Sequence, residues 1–230
     1  MANEILGYLE MCMREGVNLQ KGMNFGLGPD YSVILMSVRR NAPYDDRFDD
    51  DGQTLIYEGH DEPQRAGQPD AKQIDQPEFT RNGTPTENGK FAQAVRDYQT
   101  GRRPPERVRV YEKLRGGIWA YGGLFHLVDY WLESDGTRHV FKFKLTIADD
   151  DTSPSPISPM IPDEPQRVIP TAVKLAVWKR DGGKCVVCGA TDELHFDHII
   201  PFSKGGTSLK AENVQLLCAR HNLSKGARLE

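Results

Sequence analysis

Three of the chain's four cysteines and one histidine stand in two closely spaced pairs. Cys185 and Cys188 are separated by two residues, as are Cys218 and His221, and the two pairs lie about 30 residues apart. Thiolate and imidazole groups at this spacing are typical of tetrahedral zinc, to which each pair contributes two ligands. The sequence therefore predicts one structural zinc ion bound by these four residues.

A second set of polar residues lies between and just after these pairs. The chain reads D-H-I-I-P, S-K-G-G, E-N-x-Q-L-L-C and then N-x-x-K-G. With the first cysteine pair, this pattern over residues 171–228 resembles the HNH endonuclease family, whose ββα-metal fold places two strands and a helix around one divalent cation. The resemblance is specific, because a zinc knuckle alone needs none of the intervening residues. It implies an enzyme that hydrolyses phosphodiester bonds in DNA.

The resemblance also implies roles for four of these residues. His198 is expected to be the general base, and Asn213 is expected to hold its imidazole through the side-chain carbonyl. Asp197 and Asn222 would supply oxygen ligands to Mg²⁺ or Mn²⁺, the ligand type that hard cations prefer. These residue types suit the reaction, since hydrolysis needs a base for water and charge neutralisation at the phosphate.

Two histidines leave alternatives open. The family's four-cysteine members carry Cys where this chain has His221, and zinc also accepts an imidazole nitrogen, so we assign His221 to zinc. The competing assignment makes His221 catalytic and leaves zinc with three protein ligands. His195 could be a further metal ligand, but it precedes the matched pattern, which favours its interpretation as a histidine on one face of a strand.

The chain divides at a proline-rich segment. Residues 148–170 contain six of the 15 prolines. Proline removes a backbone donor and fixes φ, so neither a helix nor a central strand can continue through this segment. We expect a semi-rigid, extended linker between a domain at residues 1–147 and the HNH module at residues 171–230.

Charge is distributed unevenly over these parts. The chain has a net charge of −4, but residues 165–230 contain ten basic and six acidic residues. A basic C-terminal module is compatible with a nucleic-acid partner, because local charge attracts phosphate. Residues 81–115 contain nine basic and four acidic residues, which fits either a phosphate-binding face or a solvated surface.

Hydrophobic patterning predicts the elements that must position these groups. Strands are predicted at Tyr31–Val38, Gln53–Tyr57, Val108–Lys113, Leu124–Trp131, His139–Ile147 and Leu194–Ile200. Helices are predicted at Ile5–Arg14, Lys90–Tyr98 and Thr171–Arg180, with a final helical segment that begins at Asn213–Leu217. We expect an α+β protein, with a mostly β, barrel-like N-terminal domain and a small zinc-stapled ββα module.

A series of short segments in the N-terminal domain follows the order of a known domain family. The segments are Ser32–Leu35, Tyr44–Asp46, Asp50–Gly52, Ile56–His60, Asp75–Gln76, Asn88–Gly89, Val108–Lys113, Trp119–Phe125, Tyr130–Trp131 and Phe141–Leu145. In this pattern residues 22–147 resemble the SRA (SET- and RING-associated) domain, which recognises modified cytosine flipped out of duplex DNA. The family's Tyr-Asp-Gly signature is replaced here by Tyr121-Gly-Gly123.

The SRA resemblance implies a pocket for a flipped base. Such a pocket needs aromatic faces that stack on the base and a polar group that reads its Watson–Crick edge. The resemblance places Tyr44 and Tyr57 in the stacking roles. It places Asp46 where an ionised carboxylate accepts from the cytosine N4 amino group, and Asp45 or Asp49 could take that role instead.

These patterns lead to the hypothesis of a modification-dependent restriction endonuclease. An SRA-like reader would capture 5-methylcytosine or a related base in double-stranded DNA, and the HNH module would cut nearby. The alternatives are an HNH nuclease whose N-terminal domain reads unmodified DNA and a non-catalytic, zinc-stapled reader of modified DNA. A homodimer is expected, because one HNH site cuts one strand at a time.

Other partners and compartments are not indicated. No G-x₄-G-K-[ST] motif occurs, so no nucleotide cofactor is expected. No apolar run reaches the roughly 20 residues of a membrane helix. The start of the sequence shows no signal-peptide pattern, and we expect a cytoplasmic protein.

Overall fold

A computed structural model of the chain describes residues 4–39, 41–49, 53–61, 69–148 and 169–225. These residues form a mixed α+β structure dominated by strands, as the sequence predicted. The predicted linker at 148–170 lies almost entirely outside the described residues, as does the segment Asp50–Gly52. Within the described residues, no helix is long and apolar enough to cross a membrane.

Eight of the described strands form one sheet. They are β1 (Ile5–Gly7), β2 (Met23–Asn24), β3 (Ser32–Met36), β4 (Arg47–Phe48), β5 (Thr54–Glu58), β6 (Glu106–Arg115), β7 (Ile118–Ser134) and β8 (His139–Ile147). The strand order is β2-β3-β6-β7-β8-β5-β4, and β1 pairs with β7. Strands β3 and β6 pair in parallel, and the other pairs are antiparallel. The five strands predicted in this part of the chain are confirmed.

One long helix packs against this sheet. Helix α2 (Glu87–Gln99) begins after Thr86, whose side chain accepts a hydrogen bond from the Gly89 N–H and so satisfies one free donor of the first turn. Phe91 and Val95 on its buried face belong to the main hydrophobic core, together with residues of six strands. The helix predicted at Lys90–Tyr98 is therefore confirmed.

The N-terminal segment differs from its prediction. Residues Ile5–Gly7 form β1, which pairs with Ile118–Ala120 of β7, and helix α1 spans only Tyr8–Glu15. The expected helix at Ile5–Arg14 is thus wrong for its first three residues. Local pattern favoured a helix there, but the backbone hydrogen bonds of a neighbouring strand outweigh it.

The C-terminal module consists of two helices and a two-stranded sheet. Helix α3 (Thr171–Arg180) matches its prediction, and strand β9 (Leu194–His198) pairs antiparallel with β10 (Val214–Cys218). Helix α4 spans Ala219–Lys225. The expected helical start at Asn213–Leu217 is wrong, because this apolar stretch pairs with β9 as a strand and the helix begins only after Cys218.

The two parts of the chain share one hydrophobic cluster. Leu114 and Ala120 of the large sheet pack with Val173 and Val177 of α3, in the same cluster as the strands β9 and β10. A backbone bridge also joins Glu4 to His195. The C-terminal module is therefore packed directly against the N-terminal domain.

A buried ion pair lies at this shared cluster. The Lys174 Nζ lies 2.6 Å from Glu112 Oε2, and each side chain is 1% exposed. The Thr171 hydroxyl donates to the other oxygen of Glu112. This pair connects α3 directly to β6.

Candidate functional site

The four predicted zinc ligands meet in one cluster. Their ligand atoms all lie within 4.8 Å of one another. The Cys188 and Cys218 sulfurs are 3.8 Å apart, and the His221 Nδ1 lies 3.5 Å from Cys185 Sγ and 3.2 Å from Cys218 Sγ. Tetrahedral zinc places two sulfurs about 3.8 Å apart and a sulfur and a nitrogen about 3.5 Å apart. The donor set therefore fits one zinc ion, with His221 as its fourth ligand.

The environment of Cys185 favours the form that binds metal. Burial alone would raise the pKa of its thiol, but backbone N–H groups of Cys218 and Cys188 oppose this and lower the pKa to about 6. The thiolate is the metal-binding form of cysteine. The fourth cysteine, Cys12, lies on α1 and is not part of the cluster.

The predicted catalytic residues lie at the end of β9 and on the elements around it. Asp197 and His198 are consecutive residues on β9, so their side chains start from opposite faces of the strand. The His198 Nε2 lies 2.8 Å from the Ser208 hydroxyl. Burial lowers the pKa of His198, and the nearby Lys225 ammonium lowers it further against the opposing effect of Asp197. A neutral imidazole is the state that can accept a proton.

Asn213 has a different position from the one expected. Its Oδ1 accepts from the Ile200 N–H at 2.8 Å, and its Nδ2 donates to the carbonyls of Ile200 and Thr207. The side chain thus binds the backbone of the loop that follows His198, instead of the imidazole itself. The predicted role is corrected accordingly: among the described residues, Asn213 fixes the loop that carries Ser208 toward His198.

Helix α4 brings a residue to the site to which the sequence analysis gave no role. The Lys225 Nζ lies 2.5 Å from Asp197 Oδ2 and also donates to the His198 carbonyl. Its side chain is 2% exposed. Asn222 is half-buried three residues earlier, so it lies on the same side of α4. The N-x-x-K spacing was the signal that could have placed both residues together.

His195 lies apart from both groups. It is buried on β9 and pairs with Leu217 of β10. Its Nδ1 has no hydrogen-bond partner among the described residues. It is not one of the four clustered donors, which agrees with its interpretation as a strand-face histidine.

Two cavities flank the segment that contains Tyr44 and Asp46. One has a volume of about 420 Å³ and the other about 500 Å³. Both are lined by Ser37, Arg39, Ala42, Pro43, Tyr44 and Asp46. Lys113 and Trp119 complete the smaller cavity, whereas charged side chains, including Glu58 and Arg138, line the larger one.

The aromatic groups near these cavities are arranged differently from the prediction. Tyr57 is 1% exposed and belongs to the main core, so it presents no open ring face and its stacking role is corrected. The Tyr44 ring instead stacks on His60, with centroids 4.8 Å apart and planes at 9°. His60 is held by the Tyr57 hydroxyl at 2.8 Å. Lys72 lies over the Tyr44 ring at 4.2 Å.

Asp46 is a buried carboxyl group that lines both cavities. Its two oxygens accept from the backbone N–H groups of Ser37 and Glu58. Burial raises the pKa of its carboxyl to about 7, although these two donors lower it in part. A carboxylate has about four acceptor positions, and these two backbone donors occupy two of them.

The two alternative acids are less well placed. Asp45 is exposed and lies 3.1 Å from the buried Lys142 ammonium, at the rim of the larger cavity. Asp49 is exposed directly after β4, and it does not line either cavity. Of the three acids, Asp46 alone is buried and faces both cavities.

The basic residues of the segment 81–115 are largely paired within the protein. Arg96 contacts Glu78, Arg103 contacts Glu106, and Arg109 contacts Glu15. Most are partly exposed at the same time. This pattern agrees with a solvated, paired surface for much of the segment.

Comparison with known proteins adds the following. Residues 185–228 match the HNH endonuclease family, which confirms the predicted class of the C-terminal module. No curated protein sequence matches the chain.

Solved structures with a similar shape include two of the SUVH5 SRA domain. One is its complex with hemi-methylated CG DNA, at 22% identity and a TM-score of 0.44, over 70% of this chain and 92% of that chain. The other is bound to fully hydroxymethylated CG DNA, at 21% identity and a TM-score of 0.43, over 70% of this chain and 93% of that chain. KRYPTONITE in complex with mCHG DNA and SAH matches at 17% identity and a TM-score of 0.41, over 67% of this chain and 33% of that chain.

Proposed function

We propose that the protein is a metal-dependent DNA endonuclease that an SRA-like domain directs to modified cytosine. The observation that carries this proposal is that one end of the β6–β7 hairpin contacts both the smaller cavity and the HNH module. On β6 and β7, Lys113 and Trp119 pair and line the smaller cavity, whereas the alternating neighbours Leu114 and Ala120 pack against the HNH module. A base held in that cavity would therefore lie on the opposite face of the strands that support the nuclease.

The nuclease chemistry follows from the residues around β9. The neutral His198 imidazole would take the proton from the attacking water, while Ser208 orients the ring from Nε2. Asp197, with Asn222 on the adjacent helix face, would hold Mg²⁺ or Mn²⁺ through oxygen atoms. The bound cation would neutralise charge on the scissile phosphate. Asn213 would keep the loop between β9 and β10 in place during this step.

The reading chemistry follows from Asp46 and the aromatic groups near it. The ionised carboxylate would accept from the N4 amino group of a flipped 5-methylcytosine or a related base. Tyr44 would stack on the base once the exposed Lys72 side chain leaves the ring face that it covers, and His60 supports the opposite face of that ring.

A comparison of modified and unmodified DNA tests the function. One plasmid would be prepared with and without 5-methylcytosine and incubated with the full chain and Mg²⁺ or Mn²⁺. We expect cutting of the modified plasmid only. His198→Ala should reduce cutting by about a hundredfold or more, with zinc content and DNA binding unchanged.

The two halves of the proposal fail separately in this experiment. Equal cutting of both plasmids would overturn the reader function. Binding of modified DNA without any cutting would overturn the nuclease function and favour a non-catalytic reader.

Restriction of modified foreign DNA would require that both strands be cut. Each HNH site has one general base and one scissile phosphate, so we propose that two copies of the chain act together as a homodimer. Sedimentation at micromolar concentration, with and without modified DNA, measures this directly. A monomer under both conditions would contradict it.

A further inference from the structure

The contacts of Asp197 are concentrated on one of its two carboxylate oxygens. Lys225 Nζ lies 2.5 Å from Oδ2, and Gln215 Nε2 lies 3.3 Å from the same atom. Gln215 is the direct cross-strand partner of Asp197 in the β9–β10 sheet. Two donors from different elements therefore hold this carboxylate by its Oδ2, and Oδ1 has no such contact among the described residues.

The ammonium group of Lys225 is also held in place by the protein. Its ammonium donates to the His198 carbonyl as well as to Asp197, and its side chain is 2% exposed. A buried ammonium is costly unless it is paired and hydrogen-bonded, and here both conditions hold. The contact joins the C-terminal end of α4 to the two consecutive site residues of β9.

From this geometry we infer that Lys225 is a positioning residue for Asp197 and weakens the binding of the catalytic cation while it improves catalysis. By holding Oδ2, it presents Oδ1 as the oxygen available to a divalent cation. This inference rests on the proposed nuclease function, and it concerns the contact between Lys225 and Asp197.

Because Lys225 is positively charged, its removal should change metal affinity and catalysis in opposite directions. A positive charge beside a cation-binding carboxylate repels a second cation, so its removal should strengthen metal binding. The same removal leaves the longer contact from Gln215, at 3.3 Å, to hold Oδ2, so the carboxylate is oriented less firmly and catalysis should weaken. A residue that only stabilises the fold would change both quantities in the same direction.

Mn²⁺ binding to the zinc-loaded full chain tests the inference without any need for cleavage. The free Mn²⁺ concentration would be followed by electron paramagnetic resonance for wild type, Lys225→Met and Lys225→Arg. We expect Lys225→Met to bind Mn²⁺ about tenfold more tightly and to cut DNA at least about tenfold more slowly at saturating Mn²⁺. Lys225→Arg, which keeps the charge, should keep wild-type affinity.

Two further variants serve as controls. Lys210→Met removes an exposed lysine of the same module and should change neither quantity. Asp197→Asn should lose most of the Mn²⁺ binding. If Lys225→Met does not retain zinc, Lys225→Gln replaces it, because the amide can still donate to Asp197 and has no charge.

Unchanged or weaker Mn²⁺ binding in the folded, uncharged variant would overturn the inference. So would a wild-type chain that binds no Mn²⁺ beside its zinc. A wild-type chain that binds Mn²⁺ but cuts no DNA would instead contradict the proposed nuclease, while the affinity comparison would still decide the electrostatic role of Lys225.

Discussion

The nuclease module and the cavity region differ in how their polar residues are distributed along the chain. The nuclease residues and zinc ligands all come from residues 185–225, on two short strands, the two loops next to them and a helix. The cavity walls come from residues between Leu19 and Arg138. In the first region short spacings determine which side chains meet, whereas in the second the sheet topology determines it.

This difference makes the two regions vulnerable to different changes. The nuclease module depends on its metal, since so few residues form a small core of their own. The cavity region depends on buried ionic groups held by the large sheet, such as Asp46 and Glu58. Substitutions in the two regions should therefore separate loss of folding from loss of recognition.

The largest effect is expected from loss of a zinc ligand. Cys185→Ser or Cys218→Ser should lose stoichiometric zinc and unfold the C-terminal module, because metal-binding free energy is folding free energy in so small a core. Elemental analysis and circular dichroism measure both changes. Cys12→Ser is the matched control, since this cysteine lies on α1 away from the cluster. Full zinc content in the Cys185 and Cys218 variants would show that the ligand set is wrong.

The next largest effect is expected where the two regions touch. Lys174→Met leaves the Glu112 carboxylate buried without its cation, which should lower the free energy of unfolding by about 3–5 kcal/mol. Replacing both residues, with Lys174→Met and Glu112→Leu, should recover most of this loss because no unpaired charge remains. Denaturant unfolding measures the difference. Lys179→Met on the exposed side of α3 is the control.

The Lys174→Met variant should also change where the DNA is cut. Because the shared cluster holds the nuclease against the cavity-bearing sheet, cut positions should lie at a narrow range of distances from the modified base. Sequencing of product ends should show a wider range for Lys174→Met than for wild type. An equally wide range in the wild type would mean that the shared cluster does not set the cutting distance.

The sequence could predict the nuclease region better than the cavity region, for a physical reason. The C-x₂-C and C-x₂-H spacings allow the two residues of each pair to bind the same ion, and the structure brings all four residues together. The role of Asn213 could not be predicted, because it depends on the backbone path of the loop between β9 and β10. The strand at Val214–Cys218 was mistaken for the start of a helix, since a short apolar run does not reveal its pairing partner.

In the N-terminal domain the alternation of β8 predicted its strand but not its surroundings. Phe141 and Phe143 enter the core. Lys142, on the opposite face, is 2% exposed and pairs with Glu58 at 3.0 Å. Burial of Tyr57 and the stacking of His60 on Tyr44 were equally invisible, because each requires knowledge of which strands are neighbours.

The smallest predicted effect concerns pH and the reading group Asp46. Its pKa of about 7 results chiefly from burial; the charge of Glu58 also raises it, and the charge of Lys142 lowers it in part. Only the ionised carboxylate accepts from the cytosine N4 amino group without a competing proton. Below the pKa the ionised fraction falls about tenfold per pH unit, so the preference for a duplex with 5-methylcytosine over one with thymine at the same position, which keeps the methyl group but lacks the N4 amino group, should weaken by nearly tenfold between pH 8 and pH 6.

The control for this prediction is a variant that cannot titrate. Asp46→Asn should show a weak preference that does not change with pH, because its amide has no proton to lose in this range. Affinities would be measured at one fixed salt concentration, since phosphate contacts with Lys and Arg contribute a salt-dependent background to both duplexes. The two profiles should converge toward pH 6 and separate toward pH 8. A wild-type preference that stays constant across this range, or that rises toward pH 6, would mean that Asp46 does not read the N4 amino group as a carboxylate. The role would then return to Asp45, which is exposed. Burial would raise the pKa of Asp45, but Lys142 and Arg47 outweigh this and lower it, so Asp45 would stay ionised throughout this range.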